Sequence, residues 1–214
     1  MTDGAARATD LLWRKPLVHD ILGRSDYAII SEIVTPGSLV LDLGCGGAEL
    51  LAWLVENKNV RARGIEINPG KVRKAIARGV LVYQGDLESS LMDYPDQSFD
   101  YVLLSQTLHQ TQRPLQVLRE MLRIGRHIVV AFPNFGHWRV RWAHMFSGRS
   151  PRTPLFPYEW YNSPNRHFCT IKDFEETVRE QNWTIEKTIY LSGAREIALS
   201  PNLLAEIAVY LIRA

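Results

Sequence analysis

Short apolar runs alternate with amphipathic segments along most of this chain. The apolar runs predict strands at residues 39–43, 62–67, 80–84, 99–104 and 127–132. The segments between them predict helices at residues 25–34, 48–58, 69–78 and 114–123. Residues 101–104 and 128–131 are continuously apolar, which is typical of strands buried on both faces. This βαβα order predicts an α/β fold with a parallel sheet and helices on both faces.

The last third of the chain closes the predicted sheet. Residues 170–181 are predicted to form a helix capped by Thr170, and residues 184–191 and 204–213 are predicted to be strands. By pattern alone, residues 204–213 also fit a helix. We expect one domain over residues 1–214, beginning with an N-terminal arm at residues 1–24.

The junction after the first strand carries the most specific chemistry. Asp42 lies near the end of the apolar run, Gly44 and Gly46 form a glycine-rich turn, and a helix pattern follows. Glycines let the backbone turn tightly and approach a ligand, and the first amides of the helix can donate hydrogen bonds to it. This pattern predicts a nucleotide-type cofactor site.

Acidic residues also follow the next two strands. Glu66 comes 24 positions after Asp42, and its carboxylate can accept hydrogen bonds from both hydroxyls of a ribose. Asp86 can accept a hydrogen bond from an adenine amino group, beside the amide of Leu87. The candidate cofactor-binding residues are Asp42, Gly44, Cys45, Gly46, Glu66, Ile67, Asp86, Leu87 and Ser105.

The glycine turn favours S-adenosylmethionine (SAM) or S-adenosylhomocysteine over a dinucleotide. The dinucleotide pattern G-x-G-x-x-G/A places glycine or alanine at the position that Glu49 occupies here. The observed D-x-G-x-G-x-A pattern fits a turn facing a methionine carboxylate. Ala48 stands where glycine is commoner, so we expect its methyl group near the ligand.

Composition and charge narrow the function classes. A net charge of +2 over 214 residues does not indicate a nucleic-acid partner, and 46% hydrophobic residues are ordinary for a globular domain. The two cysteines, Cys45 and Cys169, cannot form a disulfide framework and fit a reducing compartment. We therefore expect a cytoplasmic protein without a membrane span, a nucleic-acid partner or a metal site.

Residues 133–169 form an aromatic and basic insert between late strands. The window 132–168 holds ten of the 21 aromatic residues and carries a charge of +4, while the rest of the chain carries −2. Tryptophan, tyrosine and arginine are common interface anchors, which favours a partner contact through Arg139, Tyr158, Trp160 and Tyr161. A lid over the cofactor, simple packing under a long loop and RNA stacking are the alternatives.

Other side chains near the predicted site have less specific roles. Trp138 and Trp142 lie four residues apart, and we expect them to face the core. His109 follows the fourth strand and His137 the fifth, so both are candidate general bases for methyl transfer. A loop histidine is more often a helix cap or a packed side chain, and methyl transfer needs a base only when its acceptor must lose a proton.

Several motifs give the chain a family resemblance. They are VLDLGCG at 40–46, QGDL at 84–87, FDYV at 99–102, LSQTL at 104–108, VLREMLR at 117–123, FPNFGHWR at 132–139, PYEWY at 157–161 and CTIKDF at 169–174. With these motifs the chain resembles class I SAM-dependent methyltransferases and, more closely, the MetW family of bacterial methionine-biosynthesis proteins. The resemblance covers about residues 34–187.

The resemblance implies a fold, a cofactor and a partner. The fold is a Rossmann-like class I methyltransferase domain with a mostly parallel, seven-stranded sheet. The implied partner is a homoserine O-acyltransferase, either the O-acetyltransferase or the O-succinyltransferase, whose activity the protein would support while binding SAM. A catalytic methyltransferase acting on a small molecule is the alternative. The family typically has Asp-Gly where this chain has Gly47 and Ala48, and often Gln where it has His109.

Overall fold

The computed structural model describes residues 23–214 of the chain. The expected N-terminal arm at residues 1–24 therefore lies almost entirely outside the described residues. The helix that follows this arm supplies part of the candidate site.

One mixed sheet runs through the described domain in the strand order β3-β2-β1-β4-β5-β8-β6-β7. The strands are β1 (Leu39–Leu43), β2 (Arg61–Glu66), β3 (Leu81–Gln84), β4 (Phe99–Ser105), β5 (Gly125–Pro133), β6 (Thr184–Ser192), β7 (Arg195–Glu196) and β8 (Ile207–Arg213). Strands β1 to β5 pair in parallel, while β8 runs antiparallel between β5 and β6. The α/β architecture and the mostly parallel sheet predicted from the sequence are confirmed.

The strand number differs from the seven that the family resemblance implies. After β6 the chain turns at Gly193, which has a φ of +57°, and β7 folds back as a two-residue strand. Leu191 pairs with Glu196 in this short hairpin. The sheet therefore has eight strands. The segment 204–213 is mainly the strand β8, and its beginning belongs to the one-turn helix Pro201–Leu204.

Helices cover both faces of the sheet. Those of nine residues or more in the described part are α1 (Ser25–Ile33), α2 (Glu49–Lys58), α3 (Pro69–Ala77), α4 (Pro114–Ile124) and α5 (Ile171–Glu180). One core layer joins strand residues such as Val40 and Leu103 to α1, α2 and α3. The other joins Leu41 and Val102 to α4 and α5. Neighbouring strand residues alternate between the layers because successive side chains point to opposite faces.

Local capping signals fix several helix ends. The side chain of Asn68 accepts hydrogen bonds from the amides of Gly70 and Lys71, with Pro69 in the first turn of α3. Thr170 and Asp173 form a reciprocal capping box at the start of α5. Both helices begin within one residue of the predicted position, because these caps satisfy amides that have no partner inside the helix.

Candidate functional site

A cavity of about 400 Å³ opens at the carboxyl ends of β1, β2, β3 and β4. This is the edge at which open α/β sheets bind ligands, and the volume is within the usual range for small-molecule sites. Seven of the predicted cofactor-binding residues line the cavity, namely Gly44, Gly46, Glu66, Ile67, Asp86, Leu87 and Ser105. Asp42 and Cys45 are not among its lining residues.

The glycine turn after β1 forms one wall of the cavity. Gly44 and Gly46 have φ values of +72° and +61°, a region that side chains disfavour. A Cβ atom on Gly44 would lie 2.9 Å from Oγ1 of Thr107, whereas one on Gly46 would meet nothing within 4 Å. Because Gly46 lines the cavity, its missing side chain leaves space that a ligand can use.

Ala48 does not narrow the cavity, contrary to the sequence-based expectation. It has a φ of +58°, it is fully buried in the core layer of α1, α2 and α3, and it is not a lining residue. Its neighbour Gly47 accepts a hydrogen bond of 2.7 Å from Arg78, which also pairs with Glu49. The methyl group of Ala48 therefore lies in the core and leaves the ligand space open.

Glu66 presents a fixed carboxylate to the cavity. Its Oε2 accepts a hydrogen bond of 2.9 Å from the Gly46 amide, and its Oε1 accepts one of 2.8 Å from the Asn68 amide. Each carboxylate oxygen can accept further hydrogen bonds. The side chain is thus held in one orientation and retains the capacity to bind a pair of hydroxyl groups.

Asp86 and Leu87 lie at the start of the one-turn helix after β3. Oδ1 of Asp86 accepts a hydrogen bond of 3.0 Å from the amide of Glu88, and the residue is exposed. Since the carboxylate caps this turn with one oxygen, its other oxygen is free to accept a hydrogen bond from a ligand. Asp86 and Leu87 therefore lie at the β3 end of the cavity, and the ends of β2 and β1 lie between them and β4.

Asp42 and Cys45 lie behind the turn. Burial raises the pKa of Asp42 to about 7. The positive charge of Arg24 opposes this shift, and Asp26 and Glu66 add to it. Burial also raises the pKa of the Cys45 thiol well above its usual range. The Cys45 sulfur packs against Gly64, where a Cβ atom would lie only 2.5 Å away. The side chain of Cys45 therefore serves packing.

The start of α1 contributes residues that the sequence analysis did not assign to the site. Arg24 and Tyr27 line the cavity, and the guanidinium of Arg24 lies 3.9 Å from the centre of the Tyr27 ring. The buried carboxylate of Asp26 binds Arg24 and also accepts a 2.5 Å hydrogen bond from Ser105. An acid in a first helical turn usually indicates a cap, so the local pattern gave no signal for this role.

Neither candidate histidine is among the described residues that line the cavity. Burial lowers the pKa of His109 to about 4, and its Nδ1 has no hydrogen-bond partner among the described residues. His137 caps the one-turn helix Trp138–Trp142 through a hydrogen bond from the Arg139 amide to its Nδ1. Burial is the main cause of its lowered pKa. His137 thus has the structural role that loop histidines most often have.

The insert exposes much of its aromatic surface. Trp160 and Tyr161 are 77% and 70% exposed, and the side chains of Tyr158 and Arg139 are also accessible. Trp138 and Trp142 do not face the core as predicted, because Val140 between them is the buried residue of this short helix. After Trp142 the chain continues into a π-helical turn, Ala143–Ser147, with exposed Met145 and Phe146.

A sequence model for the family described as "Methionine biosynthesis protein MetW" matches residues 24–212. The chain belongs to the MetW family. The matched range includes every candidate residue named above and the cavity-lining residues of α1. No helix within residues 23–214 is long and apolar enough to cross a membrane.

A curated relative carries the MetW name within a longer protein, and this MetW-family chain is similar to part of it. It is 36% identical over 203 residues to the "Bifunctional methionine biosynthesis protein MetXA/MetW" of Rhodopirellula baltica. That match covers 89% of this chain and 33% of the relative, so the chain spans about a third of the relative's length.

Solved structures share the fold at low sequence identity. A SAM-dependent methyltransferase from Mesorhizobium loti matches with a TM-score of 0.67 and 18% identity, covering 90% of this chain and 99% of that one. One from Archaeoglobus fulgidus matches with a TM-score of 0.64 and 15% identity, covering 92% and 94%. These neighbours establish the methyltransferase-like scaffold.

Proposed function

We propose that this MetW-family chain is an accessory protein that binds SAM or S-adenosylhomocysteine and associates with homoserine O-acyltransferase. In this proposal the association supports the activity of the acyltransferase in methionine biosynthesis. The observation that carries the proposal is family membership together with the R. baltica relative, whose name joins MetXA and MetW in one polypeptide. We take the MetXA part to be the acyltransferase, and we infer a cytoplasmic location, which two free cysteines support.

The exposed aromatic side chains of the insert support a docking role. Trp160, Tyr161 and Trp142 are each at least 60% exposed, and large aromatic residues leave water favourably when a partner covers them. Arg139 and Arg152 add positive charge to the same segment, although each is partly neutralised by a glutamate. We therefore assign the partner contact to the insert, with Trp160 and Tyr161 as anchors.

The residues of the cavity fit a SAM-type cofactor. Glu66 would hold the ribose hydroxyls, Asp86 and the Leu87 amide would bind the adenine, and the turn at Gly44 and Gly46 would face the methionine portion. The fit rests on the space at Gly46, which any side chain would fill, and on the fixed carboxylate of Glu66. When bound, SAM supplies an activated methyl group, whereas S-adenosylhomocysteine supplies none.

A catalytic methyltransferase acting on a small molecule is the second candidate. It is favoured by the cavity itself, whose β4 side is lined by Gln106, Thr107 and Gln110. Methyl transfer depends mainly on alignment, which these residues could provide for an acceptor. Among residues 23–214 no histidine lines the cavity, so this candidate is restricted to acceptors that need no general base from His109 or His137.

A mixing experiment with the acyltransferase of the same organism tests the first candidate. The two purified proteins would be followed by co-elution and by the rate of acyl transfer, with and without SAM or S-adenosylhomocysteine. We expect a complex and a raised rate, and the absence of both would refute the accessory role. A change with SAM would make the cavity regulatory, whereas labelled methyl transfer to an extract fraction would support catalysis.

Two variants connect the result to the insert. Trp160→Ala should weaken the complex, because interface tryptophans commonly contribute about 2 kcal/mol or more. Tyr83→Ala, on the edge strand β3, removes a side chain that is 59% exposed and serves as the matched control. An equal loss in both variants would contradict the assignment of the contact to the insert. S-adenosylhomocysteine binding should be the same in Trp160→Ala and in the wild type.

A further inference from the structure

Arg24 places a guanidinium group at one end of the cavity, where hydrogen bonds fix its orientation. Its Nε and Nη2 donate hydrogen bonds of 3.1 and 2.5 Å to the two carboxylate oxygens of Asp26. Nη2 also donates to Oγ of Ser105 at 2.7 Å, and Nη1 donates to the Tyr27 hydroxyl at 2.8 Å. These four bonds use four of the five N–H donors of a guanidinium. Within residues 23–214, one N–H of Nη1 remains available.

The position of Arg24 in the cavity defines which part of a ligand it can meet. Along the sheet edge, Asp86 follows β3, Glu66 ends β2, Gly44 follows β1 and Ser105 ends β4. Arg24 is bonded to Ser105, so it lies at the β4 end, opposite the acidic residues of β2 and β3. A ligand whose ribose is bound by Glu66 and whose adenine is bound near Asp86 extends its remaining atoms toward Arg24.

A second unpaired donor lies next to this position. Gln106 follows Ser105 and lines the cavity, and its side-chain nitrogen is buried without a hydrogen-bond partner among the described residues. Its backbone has a φ of +54°, which is uncommon for a residue other than glycine. A buried donor without a partner is costly, so a ligand acceptor at this end of the cavity would satisfy it.

We propose that Arg24 binds the α-carboxylate of the cofactor and makes the cavity selective for adenosyl compounds that carry an intact amino acid. This inference rests on the proposed SAM binding and goes beyond it, since it names the chemical group that is recognised. Asp26 and Ser105 act as positioning residues that hold the guanidinium. Without Arg24, the carboxylates of Asp26 and Glu66 would repel an anionic ligand group.

Calorimetric titration with SAM and with decarboxylated SAM tests the proposal. The two compounds share the adenosine, the sulfonium and the amine, and they differ in the carboxylate. We expect the wild type to bind SAM about tenfold to a hundredfold more tightly, the range for one hydrogen bond between charged groups. Equal affinities would overturn the role of Arg24 and leave SAM binding intact, whereas binding of neither compound would overturn both.

Variants locate the selectivity at Arg24. Arg24→Gln alone leaves the buried carboxylate of Asp26 without its cationic partner, so the test variant combines Arg24→Gln with Asp26→Asn. Its folding is checked by circular dichroism. Its affinity for SAM should fall to the level of decarboxylated SAM, whose own affinity should change less than about twofold. Lys71→Gln removes the second cationic residue that lines the cavity within residues 23–214, at the start of α3, and should keep the selectivity.

Two results would contradict the assignment to Arg24. One is an equal loss of both ligands in the double variant, which would indicate a structural role. The other is unchanged selectivity in the double variant. Arg24→Lys keeps the positive charge and should retain part of the preference for SAM, which distinguishes recognition of charge from support of the cavity wall.

Discussion

Replacing Asp42 with asparagine should change the pH dependence of the free energy of unfolding. Asp42 is 3% exposed in β1, and burial raises its pKa from 3.8 to about 7. The folded protein therefore keeps a proton on Asp42 between about pH 4 and 7, while the unfolded chain releases it. The stability that this proton confers is complete below pH 4 and is lost as the pH rises through 7.

The magnitude follows from the two pKa values. Each unit of difference between the folded and unfolded pKa values corresponds to about 1.4 kcal/mol. Full ionisation of Asp42 therefore lowers the free energy of unfolding by on the order of 4 kcal/mol. About 2 to 3 kcal/mol of this loss falls between pH 5 and pH 8. Asparagine does not titrate, so the stability of Asp42→Asn relative to the wild type should rise by that amount over the same interval.

Urea unfolding at pH 5, 6, 7 and 8 measures this difference. Asp93→Asn is the matched control, because Asp93 is an exposed carboxylate on the turn Leu91–Asp93. The difference between Asp42→Asn and the wild type should grow with pH, while that of the control should stay flat. A constant difference for Asp42→Asn would show that burial does not raise the pKa of Asp42.

Three further substitutions test separate parts of the structure. Glu66→Ala should weaken S-adenosylhomocysteine binding by about 2 to 4 kcal/mol in calorimetry, since two hydrogen bonds to the ribose are lost; unchanged binding would mean that the ribose lies elsewhere. Ala48→Gly should leave that affinity unchanged and alter the unfolding free energy by less than about 1 kcal/mol, because relief of the positive φ offsets a lost buried methyl group. Trp142→Ala should cost less than about 1 kcal/mol in urea unfolding because the side chain is exposed, and a loss of 3 to 5 kcal/mol would be the mark of a buried one.

The parts of the site that follow strand ends were predictable from the sequence. The glycine turn and Glu66 are recognisable in the sequence because each comes where an apolar run, and therefore a strand, ends. The structure has β1 at the predicted bounds. In parallel strands these ends lie along one edge, so local signals far apart in sequence converge on one cavity. Asp42, Gly44 and Cys45 share one segment, yet only Gly44 of the three lines the cavity. Asp42 is buried within β1, and the Cys45 side chain packs against Gly64, which the local pattern does not reveal.

The parts that depend on distant contacts were not predictable. Asp26 binds Ser105 across 79 positions, and nothing in the pattern around Asp26 indicates that partner. Spacing places Trp138 and Trp142 on the same side of a helix, but it does not determine whether that side meets the core. In the structure the short helix instead turns Val140 inward. The two-residue strand β7 is shorter than any apolar run that periodicity could detect.

Strand β3 occupies one of the two outer positions of the sheet, and within residues 23–214 it pairs only with β2. It has four residues, and Leu81 and Tyr83 are largely exposed, so its amide hydrogens should exchange with solvent earlier than those of the central strands β1 and β4. Asp86 follows this strand, whereas Gly44 and Ser105 are attached to the sheet centre. Under the proposed binding mode, local opening at β3 would free the adenine end of the ligand first. The lifetime of the complex would then be governed by an edge strand of the sheet and not by its centre.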